Sequence, residues 1–244
     1  MAKTYRAVEV SAPGTLRVVE RTIPEPGAGQ VRIRVEACGT CHTDAATVTG
    51  TYPGLTLPRV PGHEVVGRIE ALGSGVSKWK IGQRVGVGLI AGEDGVCEPC
   101  RRGDIVNCQN PVVSGVTVDG GYAEVMVAEA RGISSVPDEL KSAEAAPLLC
   151  AGITTYNALR NASLRGGDLV AVQGVGDLGI LASSSRGTWD SALWPSGVDT
   201  RRKSWRKTWA RMSTSTLPPR MQRRYYSAWA GRGRFSPPEP AVKR

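Results

Sequence analysis

Six cysteines and two histidines carry most of the chemistry available to this 244-residue chain. Both histidines sit beside other metal-competent side chains, in Cys41-His42-Thr43-Asp44 and Gly62-His63-Glu64. A catalytic zinc needs a few soft or borderline protein ligands and one open position for water or substrate. The Cys41 thiolate and the His63 imidazole suit two of those ligand places. Asp44 suits the role of a carboxylate that orients the ring from behind. The competing account is a buried cysteine with two surface histidines at turns.

A second cluster runs Asp94-Gly95-Val96-Cys97-Glu98-Pro99-Cys100, with Cys108 eight residues further on. Two cysteines separated by two residues and followed by a third match structural-zinc spacing. Closure needs four ligands, and Asp94 precedes Cys97 by the same three-residue step, so Asp94, Cys97, Cys100 and Cys108 form a candidate tetrahedral set. A Cys97–Cys100 redox pair and unrelated core thiols are the alternatives. A redox pair belongs beside a thioredoxin-like βαβ unit, which is absent here.

The third motif is Gly174-Val175-Gly176-Asp177-Leu178-Gly179, directly after the apolar run Leu169–Gln173. A glycine turn entering a helix lets the backbone approach a pyrophosphate, which the helix N-terminus attracts. The acidic residue that reads the ribose belongs about twenty positions on, at the end of a second strand. Asp199 stands near that place, but the sequence shows no strand before it and Asp199 is expected to be incidental.

Elements must position these groups. Val31, Ile33 and Val35 alternate with Arg32, Arg34 and Glu36, the period of a half-buried strand. Tyr5–Val10, Leu16–Glu20, Val65–Leu72, Arg84–Val87 and Tyr122–Val127 are similar runs, divided by Gly and Pro clusters. Many short strands predict a barrel or sandwich over residues 1–140. Ser142–Leu149 and Thr155–Asn161 are expected to be helical, before the strand at Leu169–Gln173.

Together these segments resemble the zinc-dependent medium-chain dehydrogenase/reductase family, of alcohol dehydrogenase type, over residues 1 to about 181. The resemblance implies a mixed α/β fold: a GroES-like β-barrel catalytic domain (1–140), then linker helices and the first strand and glycine loop of an incomplete Rossmann domain (141–181). It further implies that Cys41, His63 and Cys150 hold a catalytic zinc, with Glu64 able to approach the open position. Thr43 would accept the alcohol proton, and His42 would lie near the cofactor phosphates and continue the relay. Thr154 would touch the nicotinamide, with Gly174, Gly176 and Gly179 around the pyrophosphate of NAD or NADP. Zinc as a Lewis acid eases alcohol deprotonation, so that hydride can pass between a small alcohol or aldehyde and the nicotinamide. Asp94 replaces the family's usual first structural cysteine. Cys38 has no assigned role beyond packing. A homo-oligomer is usual for the family.

Residues 182–244 break the pattern. They hold 14 Lys and Arg against 3 Asp and Glu, so that the whole formal charge of +9 belongs to the last quarter of the chain. With five of the six Trp and only five Ile, Leu, Val or Phe, this stretch is expected to be a disordered basic tail foreign to the family. Its sudden Arg, Trp and Pro richness suggests translation in a shifted reading frame. Permissible codons read one frame over yield an ordinary Rossmann continuation, and a stop codon in that frame soon after residue 181 would sink the idea. Three function classes follow: an alcohol dehydrogenase with impaired activity, a catalytically inactive zinc-binding fragment, and a nucleic-acid binder acting through the tail, the last disfavoured because a solvated charge run needs no partner. No run of eighteen apolar residues points to a membrane partner, and the start of the chain has no signal-peptide pattern. Six cysteines without one predict a reducing, cytoplasmic setting.

Overall fold

The structure is a computed structural model, which describes residues 3–163, 169–174, 176–184 and 192–196. The remainder of 182–244, including Asp199, lies outside the described residues. The chain divides into two units, and all the described residues fall in the first, Met1–Gly197.

An antiparallel hairpin opens the chain, β1 (Thr4–Ala12) with β2 (Thr15–Thr22). Next come β3 (Gln30–Cys38), α1 (His42–Thr49), β4 (Val65–Leu72), β5 (Arg84–Val87) and β6 (Ile90–Gly92). A lobe with the short helix α2 (Glu98–Arg101) leads to β7 (Val112–Val113), which pairs with β6. Then β8 (Val125–Glu129) and β9 (Ile133–Ser135) complete a five-stranded antiparallel sheet in the order β8-β3-β4-β5-β9.

That order forces the sheet to curl. β8 and β9 occupy its two edges, yet only residues 130–132 join them. Four Cα steps reach at most about 15 Å, whereas the outer strands of a flat five-stranded sheet lie about 19 Å apart. The edges therefore bend toward each other, as in a barrel. Trp79 pins the junction by donating its indole N–H to the Ala130 carbonyl at 2.7 Å. The alternation in β3 drives Val31 and Ile33 into one core with Val65, Ile69, Val85, Val87, Met126 and Ile133. Replacing fully buried Ile33 by Ala would cost about 2–5 kcal/mol.

The expected strands at residues 65–72, 84–87 and 169–173 have those bounds, while the run from Tyr122 shifts and one helix is unexpected. The predicted run from Tyr122 begins the sheet only at Val125, because Tyr122–Glu124 bonds to β1 instead: Val8 N–H donates to the Tyr122 carbonyl and Glu124 N–H to that of Arg6. The helix α1, carrying His42, Thr43 and Asp44, had no apolar period to announce it.

After the barrel, α3 (Ser142–Ala145) and a 3-10 turn (Ala146–Leu149) run into α4 (Ala151–Asn161). Arg84 ties this linker to the barrel: it donates to the Pro137 carbonyl at 2.5 Å and to Ser142 Oγ at 2.8 Å, and faces Glu36. β10 (Leu169–Gln173) and α5 (Asp177–Ser184) follow. One expectation about the tail is corrected: Ala192–Ser196 forms β11, parallel to β10 from Leu169↔Ala192 to Gln173↔Ser196. A strand thus does precede Asp199. Its apolar run, Ala192-Leu193-Trp194, is too short to register as periodic, and pairing with β10 supplies the backbone partners it needs. Pro195 is tolerable on such an edge. Among the described residues no helix is long and apolar enough to cross a membrane.

Candidate metal centres

Asp44 organises the first centre. It is 4% exposed, in the first turn of α1, and both its oxygens are used. Oδ1 accepts from the Gly62 amide and faces His63 Nδ1, each at 3.1 Å. Oδ2 accepts from the Cys41 amide and from the Tyr122 hydroxyl, each at 2.9 Å. One carboxylate thus fixes the backbone at Cys41, the backbone before His63 and the plane of the His63 ring. Tyr122 is the contributor that sequence reasoning missed, because 78 residues separate it from Asp44.

The far side of the ring has no hydrogen bond. His63 is 1% exposed, and its Nε2 is buried with no hydrogen-bond partner. Ligand atoms of Cys41, His63, Glu64 and Cys150 all lie within 4.8 Å of one another. The Cys41 and Cys150 sulfurs are 3.8 Å apart, far too long for a disulfide. Two sulfurs bound to one zinc at 2.3 Å and a tetrahedral angle would be separated by about 3.8 Å. The donor set therefore fits zinc in both chemistry and spacing.

Electrostatics agree. Burial disfavours a charged His63, yet the Asp44 carboxylate and the Cys150 and Cys41 sulfurs hold its pKa up to about 11. Burial also opposes ionisation of Cys41, but the Thr43 amide and hydroxyl, with His63, hold that thiol below its usual value. Burial, with Asp44 and Asp177 nearby, raises Glu64. Burial opposes charge on all four donors, Cys41, His63, Glu64 and Cys150, a cost that a cation bound among them would offset.

Cys150 reaches this place through packing. Leu149, the residue before it, lies against β5 and the residue that follows it: a Cβ on Gly86 would come within 2.7 Å of Leu149 Cδ1, and one on Gly88 within 2.8 Å of the Leu149 carbonyl. Glu64 needs equal space, since a Cβ on Gly39 would sit 1.9 Å from its Oε2. Thr43 Oγ1 is 3.7 Å from Cys41 Sγ, and His42 is exposed at the start of α1. Thr154 is exposed in α4 and donates its amide to the Cys150 carbonyl at 3.0 Å. In the glycine loop, Gly174 has φ +100° and a Cβ on Gly179 would lie 1.9 Å from the Gly174 carbonyl, while one on Gly176 would meet nothing within 4 Å. The second and third glycine requirements, open approach and tight helix packing, are both visible here.

The second centre lies in the lobe around α2. Ligand atoms of Asp94, Cys97, Cys100 and Cys108 lie within 4.8 Å of one another, with Cys97 and Cys108 sulfurs 3.9 Å apart. All six cysteines are free thiols. The Cys108 sulfur accepts from the Asp94 and Asn110 amides, each at 3.4 Å. The Cys97 amide, the Asn110 side chain and the Val96 amide hold the Asp94 carboxyl far below the usual carboxylate range. The amide donors aimed at the Asp94 carboxylate stabilise the anionic form a metal requires.

Residues 27–138 match the family described as Alcohol dehydrogenase GroES-like domain. Alcohol dehydrogenase patD of Aspergillus clavatus is 43% identical over 180 residues, covering 73% of this chain and 46% of that protein. A cobalt- and zinc-bound thermostable alcohol dehydrogenase from Pyrobaculum aerophilum superimposes with a TM-score of 0.75 at 31% identity, covering 84% of this chain and 62% of that one. A CAD from Helicobacter pylori complexed with NADP(H) does so with a TM-score of 0.75 at 26% identity, over 86% of this chain and 63% of that one. The chain spans about half the length of the curated relatives it matches.

Proposed function

Because this chain belongs to the zinc-dependent medium-chain dehydrogenase/reductase family, alcohol dehydrogenase type, we propose that its first centre is built for hydride transfer between a small alcohol or aldehyde and NAD or NADP. Cys41, His63 and Cys150 would hold the catalytic zinc, with Glu64 at the fourth place when substrate is absent. When bound, zinc supplies a Lewis acid that eases deprotonation of an alcohol, and the nicotinamide supplies the hydride acceptor. The protein's own work is positioning. Asp44 holds the ring of His63 in one tautomer, with Nδ1 as donor and Nε2 free to ligate. The Thr43 hydroxyl takes the substrate proton and exposed His42 passes it to solvent. Thr154 would contact the nicotinamide, and Gly174, Gly176 and Gly179, before and in the first turn of α5, would receive its pyrophosphate.

Carrying the proposal is the buried, unpartnered Nε2 of His63 in a site whose two sulfurs lie 3.8 Å apart. The second centre is proposed to hold a structural zinc on Asp94, Cys97, Cys100 and Cys108.

Turnover by this chain is expected to be weak. A nicotinamide must be held rigidly to receive hydride, and residues 182–244 carry only five Ile, Leu, Val or Phe with which to build the rest of a nucleotide domain. The same composition supports a second reading, a zinc-binding protein without catalysis. The purified, zinc-loaded chain and its Cys150→Ser variant are assayed across an alcohol panel for NADH and NADPH production. Slow turnover abolished by Cys150→Ser is the expected result. Turnover that survives that substitution overturns the catalytic assignment, robust turnover overturns the impairment, and none at all favours the second reading.

A further inference from the structure

The second centre mixes one hard oxygen donor with three sulfurs. A carboxylate can meet a cation through either oxygen or through both, whereas a closed tetrahedral site needs one donor atom from each residue. Each carboxylate oxygen offers about two lone-pair sites. At Asp94, Oδ1 already accepts from the Val96 and Cys97 amides, each at 3.0 Å, so both are taken. Oδ2 accepts from the Asn110 side-chain amide at 2.8 Å and keeps one site free. Asn110 also donates its backbone N–H to Cys108 Sγ at 3.4 Å, so one residue grips an oxygen donor and a sulfur donor at once. A cysteine in place of this aspartate would present a single donor atom and need no such restraint.

We propose that Asn110 is a positioning residue: with Oδ1 of Asp94 filled by the Val96 and Cys97 amides, it orients Oδ2 as the single ligating oxygen and so lets an aspartate close a site of three thiolates. This rests on the reading that the second centre holds zinc.

The test is a double-mutant cycle on the full, zinc-loaded chain, with zinc release to a competing chelator as the readout. Four proteins are compared: the natural chain, Asn110→Ala, Asp94→Cys, and the double variant, which also reports whether the lobe folds without Asn110. Removing an outer partner of a metal ligand typically weakens binding about 10–100-fold. Asn110→Ala is expected to weaken retention of one of two zinc ions by that factor with Asp94 present, and to have no effect in the Asp94→Cys background. Unchanged retention in Asn110→Ala overturns the inference alone. Equal weakening in both backgrounds also overturns it, because the Asn110 side chain would then act independently of Asp94. A natural chain that never holds a second zinc overturns this inference together with the structural-zinc reading.

Discussion

Asp44 shows how a single side chain can arrange a candidate metal centre without being one of its donors. Its four contacts join α1, the turn before β4 and the segment before β8, so the candidate ligands Cys41 and His63 share one reference point. Replacing Asp44 by Asn would remove the charge behind His63 and is expected to weaken zinc at the first centre about 10–100-fold. Tyr122→Phe removes only the hydroxyl donated to Asp44 and should weaken it less, by less than about tenfold. Chelator competition ranks the two, and a Tyr122→Phe effect larger than that of Asp44→Asn would contradict the hierarchy. Cys41, His63 and Asp44 were legible in the sequence because chemistry-bearing neighbours stand side by side there. Cys150 was not legible from spacing, and only the resemblance supplied it. Its approach depends on Leu149 packing over Gly86, a contact between segments more than sixty residues apart. Asn110 left no readable signal, since an asparagine two residues past a cysteine becomes meaningful only once Asp94 is known to face it.

The elements hold the site because the linker is bolted to the barrel. Glu36 on β3 accepts from Ser142 Oγ at 2.7 Å and faces Arg68 and Arg84 at 3.0 and 3.4 Å, joining three strands to α3. The Ser142 hydroxyl, with Arg68 and Arg84, outweighs burial and lowers the Glu36 pKa below the usual carboxylate value. A folded value below the unfolded one means the contribution is present above the unfolded pKa and is lost as pH falls through the folded one. Glu36→Gln is therefore expected to cost about 1 kcal/mol near pH 7 and progressively less as pH falls below the usual carboxylate range. Urea unfolding of both chains at matched pH checks this, and a gap that persists unchanged to pH 3 would contradict it. Period-2 alternation made the strands legible, since burial on one face imposes it directly. It could not reveal that β8 and β9 close the sheet, because that follows from pairing order. Nor could it reveal α1, which buries Asp44 and Thr47 and lacks an apolar stripe.

At the scale of the whole molecule, a barrel and linker are followed by a strand–glycine loop–helix–strand segment, described through β10, α5 and β11. That segment bears Asp177 in the first turn of α5, where a pyrophosphate would meet negative charge as well as the helix N-terminus. Titration with NADH and NADPH, followed by nicotinamide fluorescence, is expected to show weak binding that Asp177→Gly strengthens. Tight binding by the natural chain, unaffected by Asp177→Gly, would contradict this. The charge imbalance of residues 182–244 was plain in composition, whereas β11 within them was not, because three apolar residues carry no period.

Zinc content of the purified full chain, measured beside His63→Ala and Cys97→Ser, tests the two-centre account most directly. Two zinc ions per chain, falling to one in each single variant and to none when both substitutions are combined, is the predicted result. A chain that holds no zinc, or holds two that neither substitution removes, would contradict it.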